Sequence, residues 1–199
     1  MAYPTVSAPY GLKPVNLIGG QVFAGATRKF KIASGYAANL LYGDVVKIIN
    51  DGTIEKDTGT ATATPVGVFL GVSYTDPGQN QPIWKQYWPT GTVASDAMAF
   101  VCDDPDQLFR VAVTAAGSST ISSVARTAIG NNSALIQGTG STITGDSAVS
   151  ISATTATTNT LPIRIIDIVP DTATAADTYV EVIVKWNFGM HQYERALGV

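Results

Sequence analysis

The chain has 199 residues, a formal net charge of −3 and 45% hydrophobic residues, enough to bury a substantial core and to exclude a solvated disordered tail as the main reading. The acidic balance argues against binding a phosphate backbone, which takes clustered Lys and Arg. One His, one Cys and 14% charged residues leave few titratable groups to tune for catalysis, so an enzyme is not expected.

Residues 1–26 read as an extended arm. Pro4, Pro9 and Pro14 each remove an N–H donor and bias the residue before them away from helix. Between them lie Tyr3, Val6, Tyr10, Leu12, Val15, Leu17 and Ile18. That is too much apolar surface for a free tail, so docking on a neighbouring subunit is favoured over a disordered terminus. Met1-Ala2-Tyr3-Pro4 lacks the basic start and apolar stretch of a signal peptide, and no apolar run approaches the roughly 20 residues that span a bilayer. Synthesis in a cytoplasm and no membrane partner are expected.

Strand signals start after Thr27. Phe30 and Ile32 alternate with Lys29 and Lys31, and Asp44–Ile49 leads into Asn50-Asp51-Gly52, a hairpin turn with Thr53-Ile54-Glu55 as its return. In residues 66–72, Val66, Val68, Leu70 and Val72 are expected on one face. Gly67 and Gly71, on the other, predict close approach by a backbone or a large ring. After the Asp76-Pro77-Gly78 turn come the aromatics Trp84, Tyr87 and Trp88. Met98 and Phe100 then alternate with Ala97 and Ala99, and Phe109, Val111 and Val113 complete a core block at 27–113.

Residues 114–187 form a second strand-rich region packing on or completing that core. Its Ser/Thr/Ala/Gly-rich first part implies short strands and long turns. Leu161–Ile168 and the face Val180, Val182, Val184 and Trp186 mark two clear strands. Residues 188–199 form a tail with one expected helical turn around Gln192–Ala196. No strand–helix alternation appears, which gives an all-β fold, an antiparallel barrel or sandwich.

The motifs carry little chemistry. His191 has no partner at metal-ligand spacing, and no Ser lies in a Gly-x-Ser-x-Gly elbow. Gly138-Thr139-Gly140-Ser141-Thr142 lacks the Lys of a phosphate loop and reads as a turn. Asp103, Asp104 and Asp106 offer oxygens for Ca²⁺, but Pro105 interrupts them and no Gly…Glu pattern follows, so a solvated turn is expected. Cys102, alone, reads as a buried core residue. No catalytic residue, metal or cofactor is expected. Large amphipathic rings are enriched at subunit contacts. The interface candidates are therefore Tyr3, Pro4, Pro9, Tyr10, Leu12, Pro14, Trp84, Tyr87, Trp88, His191 and Tyr193.

Tyr42-Gly43-Asp44-Val45-Val46-Lys47-Ile48, Asp51-Gly52-Thr53-Ile54 and Pro65-Val66-Gly67-Val68, in this order, resemble the β-tulip-like decoration, or cement, proteins of tailed-phage capsids. Ala8-Pro9-Tyr10-Gly11-Leu12-Lys13-Pro14, Ser73-Tyr74-Thr75-Asp76-Pro77, Gln86-Tyr87-Trp88-Pro89 and Asp103-Asp104-Pro105-Asp106 are similar to virion structural proteins of aquatic podovirus-like phages. The first likeness covers residues 40–113 and the second extends loosely across the chain, whose second half departs from the minimal decoration fold. The resemblance implies a homotrimer on the capsid surface, with major capsid protein as partner and the arm reaching neighbouring coat subunits. Nucleic acid and small-molecule substrates are not expected partners. A tail or head-fibre component is the alternative within the same class. A carbohydrate-binding β module with Trp84 and Trp88 as its platform is the alternative outside it.

Overall fold

A computed structural model describes residues 6–175 and 177–187. Strand accounts for 45% and helix for 3%, so the protein is all-β. The first strands are β1 (Lys13–Leu17), β2 (Arg28–Lys31), β3 (Val45–Ile48), β4 (Ile54–Lys56), β5 (Gly67–Asp76), β6 (Gln81–Lys85), β7 (Met98–Cys102) and β8 (Gln107–Thr114). They are followed by β9 (Val124–Ala125), β10 (Asn132–Ile136), β11 (Ser150–Ala156), β12 (Ile163–Ile168), β13 (Ala173–Ala175), β14 (Thr178–Tyr179) and β15 (Glu181–Trp186). Single 3₁₀ turns lie at Arg126–Ala128 and Pro170–Thr172.

The first sheet runs β2-β7-β5-β3-β4, with β6 also on β5, and all its pairings are antiparallel. A bridge between Ile32 and Ile54 draws its outer strands together, curling the sheet around Phe69, Val72, Tyr74, Trp88 and Val101. The β3–β4 hairpin forms as Asp51-Gly52 predicts. Gly52 has φ +78°, and the Asp51 carboxylate accepts from the Thr53 amide at 2.8 Å and its hydroxyl at 2.7 Å. These bonds hold the exposed Asp51 carboxyl below its usual range.

The second sheet runs β1-β8-β11-β10-β12-β15, and β15 returns to β8 to close a barrel. β8 meets β11 in parallel only at Val113 and Thr114, which leaves the same edge free further down. β1 fills that gap, pairing Lys13 with Arg110 and Leu17 with Gln107. Phe109, Val111, Leu135, Ile151, Ile163, Ile165, Val182 and Val184 line the core, and β13-β14-β9 form a small separate sheet.

Two expectations are corrected here. The segment read as an arm for a neighbour is, from Tyr10 to Leu17, part of this chain's own barrel. Leu12 is fully buried in the barrel core, the Gly11 amide donates to the Val149 carbonyl at 3.1 Å, and Pro14 sits opposite Phe109. Of the apolar residues that called for a partner, Leu12 is buried within the chain, Val6, Tyr10, Val15 and Leu17 are partly buried, and Ile18 is 50% exposed. The boundary also moves. β8, assigned to the first block, is the strand on which the second barrel is built, so, β1 apart, the two sheets divide between Cys102 and Gln107.

Candidate interaction surface

The outer face of the first sheet is covered at one end and bare at the other. Val45, Val68 and Cys102 point away from the sheet's own core and join the second barrel's core. Beyond them a bulge between Phe69 and Gly71 inserts Leu70, which also packs against that core. The bulge shifts the alternation, so Phe69 and Val72 share the inner core while Val68 lies outside. This corrects the expected common face of Val66, Val68, Leu70 and Val72.

Past the bulge the outer face is more open, and of its large apolar side chains Trp84 is the exposed one. Cross-strand register sets side chains in rows, because directly paired residues share a face. One row is Lys29, Phe100 and Gly71; the next is Lys31, Met98, Ser73 and Trp84. Asp96 continues the pattern, accepting from the Thr75 amide at 3.0 Å and its hydroxyl at 2.7 Å, bonds that lower its carboxyl pKa. Met98 and Phe100 are half-buried, Lys29 and Lys31 exposed, and Trp84 is 62% exposed.

Gly71 makes the arrangement possible. A Cβ there would lie 2.9 Å from Trp84 Cζ2, and one on Gly67 would lie 2.4 Å from the Cys102 carbonyl oxygen. The two glycines thus admit the large ring and the close backbone expected of them. Trp84 lies across the glycine gap and bounds a shallow hollow of about 330 Å³ with Ser73, Pro82, Ile83 and Asp96. Lys29 Nζ sits 5.6 Å from the centroid of Phe100.

The other aromatic candidates separate from Trp84. Trp88 is wholly buried, edge-on to Tyr74 at a centroid distance of 5.3 Å, so it is not available to a partner. This overturns the paired Trp84–Trp88 sugar platform, which needs both rings in solvent. Tyr87 is half-buried.

Pro9 and Tyr10 border a second concavity of about 760 Å³, between residues 7–10, 119–121 and 139–148. Its wall is fastened through Glu181, only 2% exposed, which accepts from the Tyr10 hydroxyl and, at 3.0 Å, from Arg110 Nε. Burial, then the bond to Glu181, push the Tyr10 phenol well above its ordinary value, and Glu181 holds the Arg110 guanidinium more firmly protonated. The sequence pattern missed Glu181, since a charged residue alternating with Val180 and Val182 reads as solvent-facing. Tyr3, Pro4, His191 and Tyr193 lie outside the described residues.

A buried polar node joins the two sheets. Asp44, fully buried, accepts from the Leu41 amide at 2.8 Å, Lys56 Nζ at 2.9 Å and Ser147 Oγ at 2.6 Å. The aspartate turn at 103–106 is partnered rather than freely solvated. Asp103 pairs with Arg28 at 3.0 Å, Asp104 accepts from the Asp106 amide at 2.8 Å, and Asp106 pairs with Lys185 at 3.0 Å. Cys102 is buried, and desolvation pushes its thiol up to about 12, away from the reactive thiolate. Among the described residues no group of three or more His, Cys, Asp or Glu is placed to hold a metal, and no helix is long and apolar enough to cross a membrane.

No protein-family model, curated protein or solved structure matches the chain.

Proposed function

We propose that this chain is a structural virion protein, a capsid decoration or cement protein that binds the outer face of the head and bridges neighbouring coat subunits. The observation that carries this reading is the uncovered half of the first sheet's outer face. Trp84 is displayed on an antiparallel surface beside the half-buried Met98 and Phe100, where an aromatic anchor suits a protein contact. The all-β fold and the resemblance of the ordered motifs to phage decoration proteins support the same reading. Repeated over every copy on a shell, contacts of modest individual strength would sum to a large collective resistance. In this reading the protein acts as a homotrimer and its partner is the major capsid protein.

The test compares heads assembled with and without the protein. Heads carrying it should contain it in proportion to coat subunits and disassemble at a higher temperature. Equal disassembly temperatures, or recovery of the protein only with tails, would overturn the reading.

A further inference from the structure

Six of the eleven described cations pair with a carboxylate, and Lys29 and Lys31 are, with Lys85, Arg126 and Arg164, among the five that do not. Lys13, Arg28, Lys47, Lys56, Arg110 and Lys185 each have a carboxylate within 3.5 Å. Lys29 and Lys31 make no such pair among the described residues, although the chain is acidic overall. Both project from the outer face at the margin of the Phe100–Met98–Trp84 patch, opposite Phe100 and Met98 respectively. Asp96, the nearest carboxylate on that face by register, is held by the Thr75 amide and hydroxyl.

From this geometry we infer that the bare half of the sheet docks a protein segment of defined chemistry: an apolar centre seated on Trp84, Met98 and Phe100, flanked by carboxylates that meet Lys29 and Lys31. The inference rests on the cement reading and names the surface and the complement that the coat subunit must present. Covering the patch takes both ammonium groups partly out of water, and an uncharged partner would leave that desolvation uncompensated. Carboxylates on the partner offset it and orient the contact. A nucleic acid fits less well, because two lysines beside one exposed indole make neither a phosphate track nor a stacking series in a chain of net charge −3. A glycan fits less well because Trp88 is inside the core and leaves a single ring outside. A second copy of the chain is the remaining occupant.

The experiment measures binding of the full-length protein to nuclease-treated heads assembled from coat protein alone. It uses the wild type, Trp84→Ala, Lys29→Glu/Lys31→Glu and the control Arg126→Glu, whose exposed side chain lies at the 3₁₀ turn in the second half of the chain. Unchanged melting of each variant establishes folding. Trp84→Ala should weaken binding about 30-fold, the loss of one hot-spot aromatic. The lysine double variant should weaken it about 10-fold or more and lose the salt dependence that the wild type shows between about 50 and 500 mM. Arg126→Glu should bind as the wild type does.

Wild-type binding with all variants equal overturns the inference and leaves the cement reading standing; no wild-type binding removes both. Loss in Trp84→Ala with none in the lysine variant rejects the acidic complement. An equal loss in Arg126→Glu reduces the effect to net charge and also rejects it. Self-association of the free protein that Trp84→Ala abolishes assigns the face to a second copy instead.

Discussion

Replacing Asp44 by Ala deletes the acceptor at which the two sheets meet. Lys56 belongs to the first sheet and Ser147 to the loop entering β11, 103 positions from Asp44, and both donate to the same carboxylate oxygen. Losing one member of a buried pair leaves the other charge uncompensated, at a typical cost of about 3–5 kcal/mol. The Lys56 side chain retains 17% of its exposure and recovers some hydration, which favours the lower end. The Ser147 hydroxyl and Leu41 amide also lose their acceptor, each costing about 1–3 kcal/mol if it stays dry, and that pushes the total back up. We expect about 4 kcal/mol, a fall in melting temperature of about 8–16 °C for a chain of this size. Guanidinium denaturation read by circular dichroism measures it. Lys56→Met alone should also destabilise, by stranding the buried carboxylate, while the double variant should be more stable than the sum of the singles implies. Additive losses would show that Asp44 and Lys56 are not coupled, and a loss below about 1 kcal/mol for Asp44→Ala would refute the node's role.

Two further outcomes follow from neighbouring geometry. Gly71→Ala places a methyl 2.9 Å from the Trp84 ring at φ +152°, so the ring must leave the sheet; the variant should show altered tryptophan emission and weakened head binding with Trp84 itself intact, and unchanged emission would refute it. Tyr10 is protonated in both folded and unfolded chains below its ordinary value of 10.0, and its pKa is raised only in the fold. Above pH 10 the unfolded chain therefore ionises first and stability falls, at up to about 1.4 kcal/mol per pH unit from this group. Denaturation midpoints between about pH 9 and 11 should fall less steeply in Tyr10→Phe, and parallel slopes would remove Tyr10 as the cause.

What was legible in the sequence was local. Asp51-Gly52 dictates its own turn, the valines of β15 alternate into the barrel as their period requires, and Gly67 and Gly71 announce close approach because a missing Cβ needs a reason. What was not legible depends on residues far away. Val68, Leu70 and Val72 look like one face until a single inserted residue opposite Phe100 shifts the register, and Val66 precedes the strand. Glu181 looks solvent-facing until Arg110, 71 positions earlier, supplies its partner. Trp84 and Trp88 are chemically equivalent in sequence. One lies on a strand over a glycine, and the other follows that strand and bridges Leu40, which turns it into the core. Lys29 and Lys31 alternate visibly with Phe30, yet only the β2–β7 register places them beside Met98 and Phe100.

The same strand explains why the bare patch lies where it does. β5 is ten residues long, and its first residues serve two cores at once: Val68 feeds the second barrel from the outer face while Phe69 fills the first from the inner. A strand buried on both faces cannot shift without opening both, so that end is fixed. After the bulge the strand leaves the second barrel behind, and its outer face carries Gly71, Ser73 and Thr75, residues too small to cover Trp84. A larger residue at Gly71 would displace Trp84 from the sheet. Small residues instead leave a flat floor on which Trp84 rests, and the adjoining lysines disfavour sealing by an uncharged element. A rigid platform loses little conformational freedom when a partner covers it. In the proposed reading, that is how one face can strengthen a shell without any moving part.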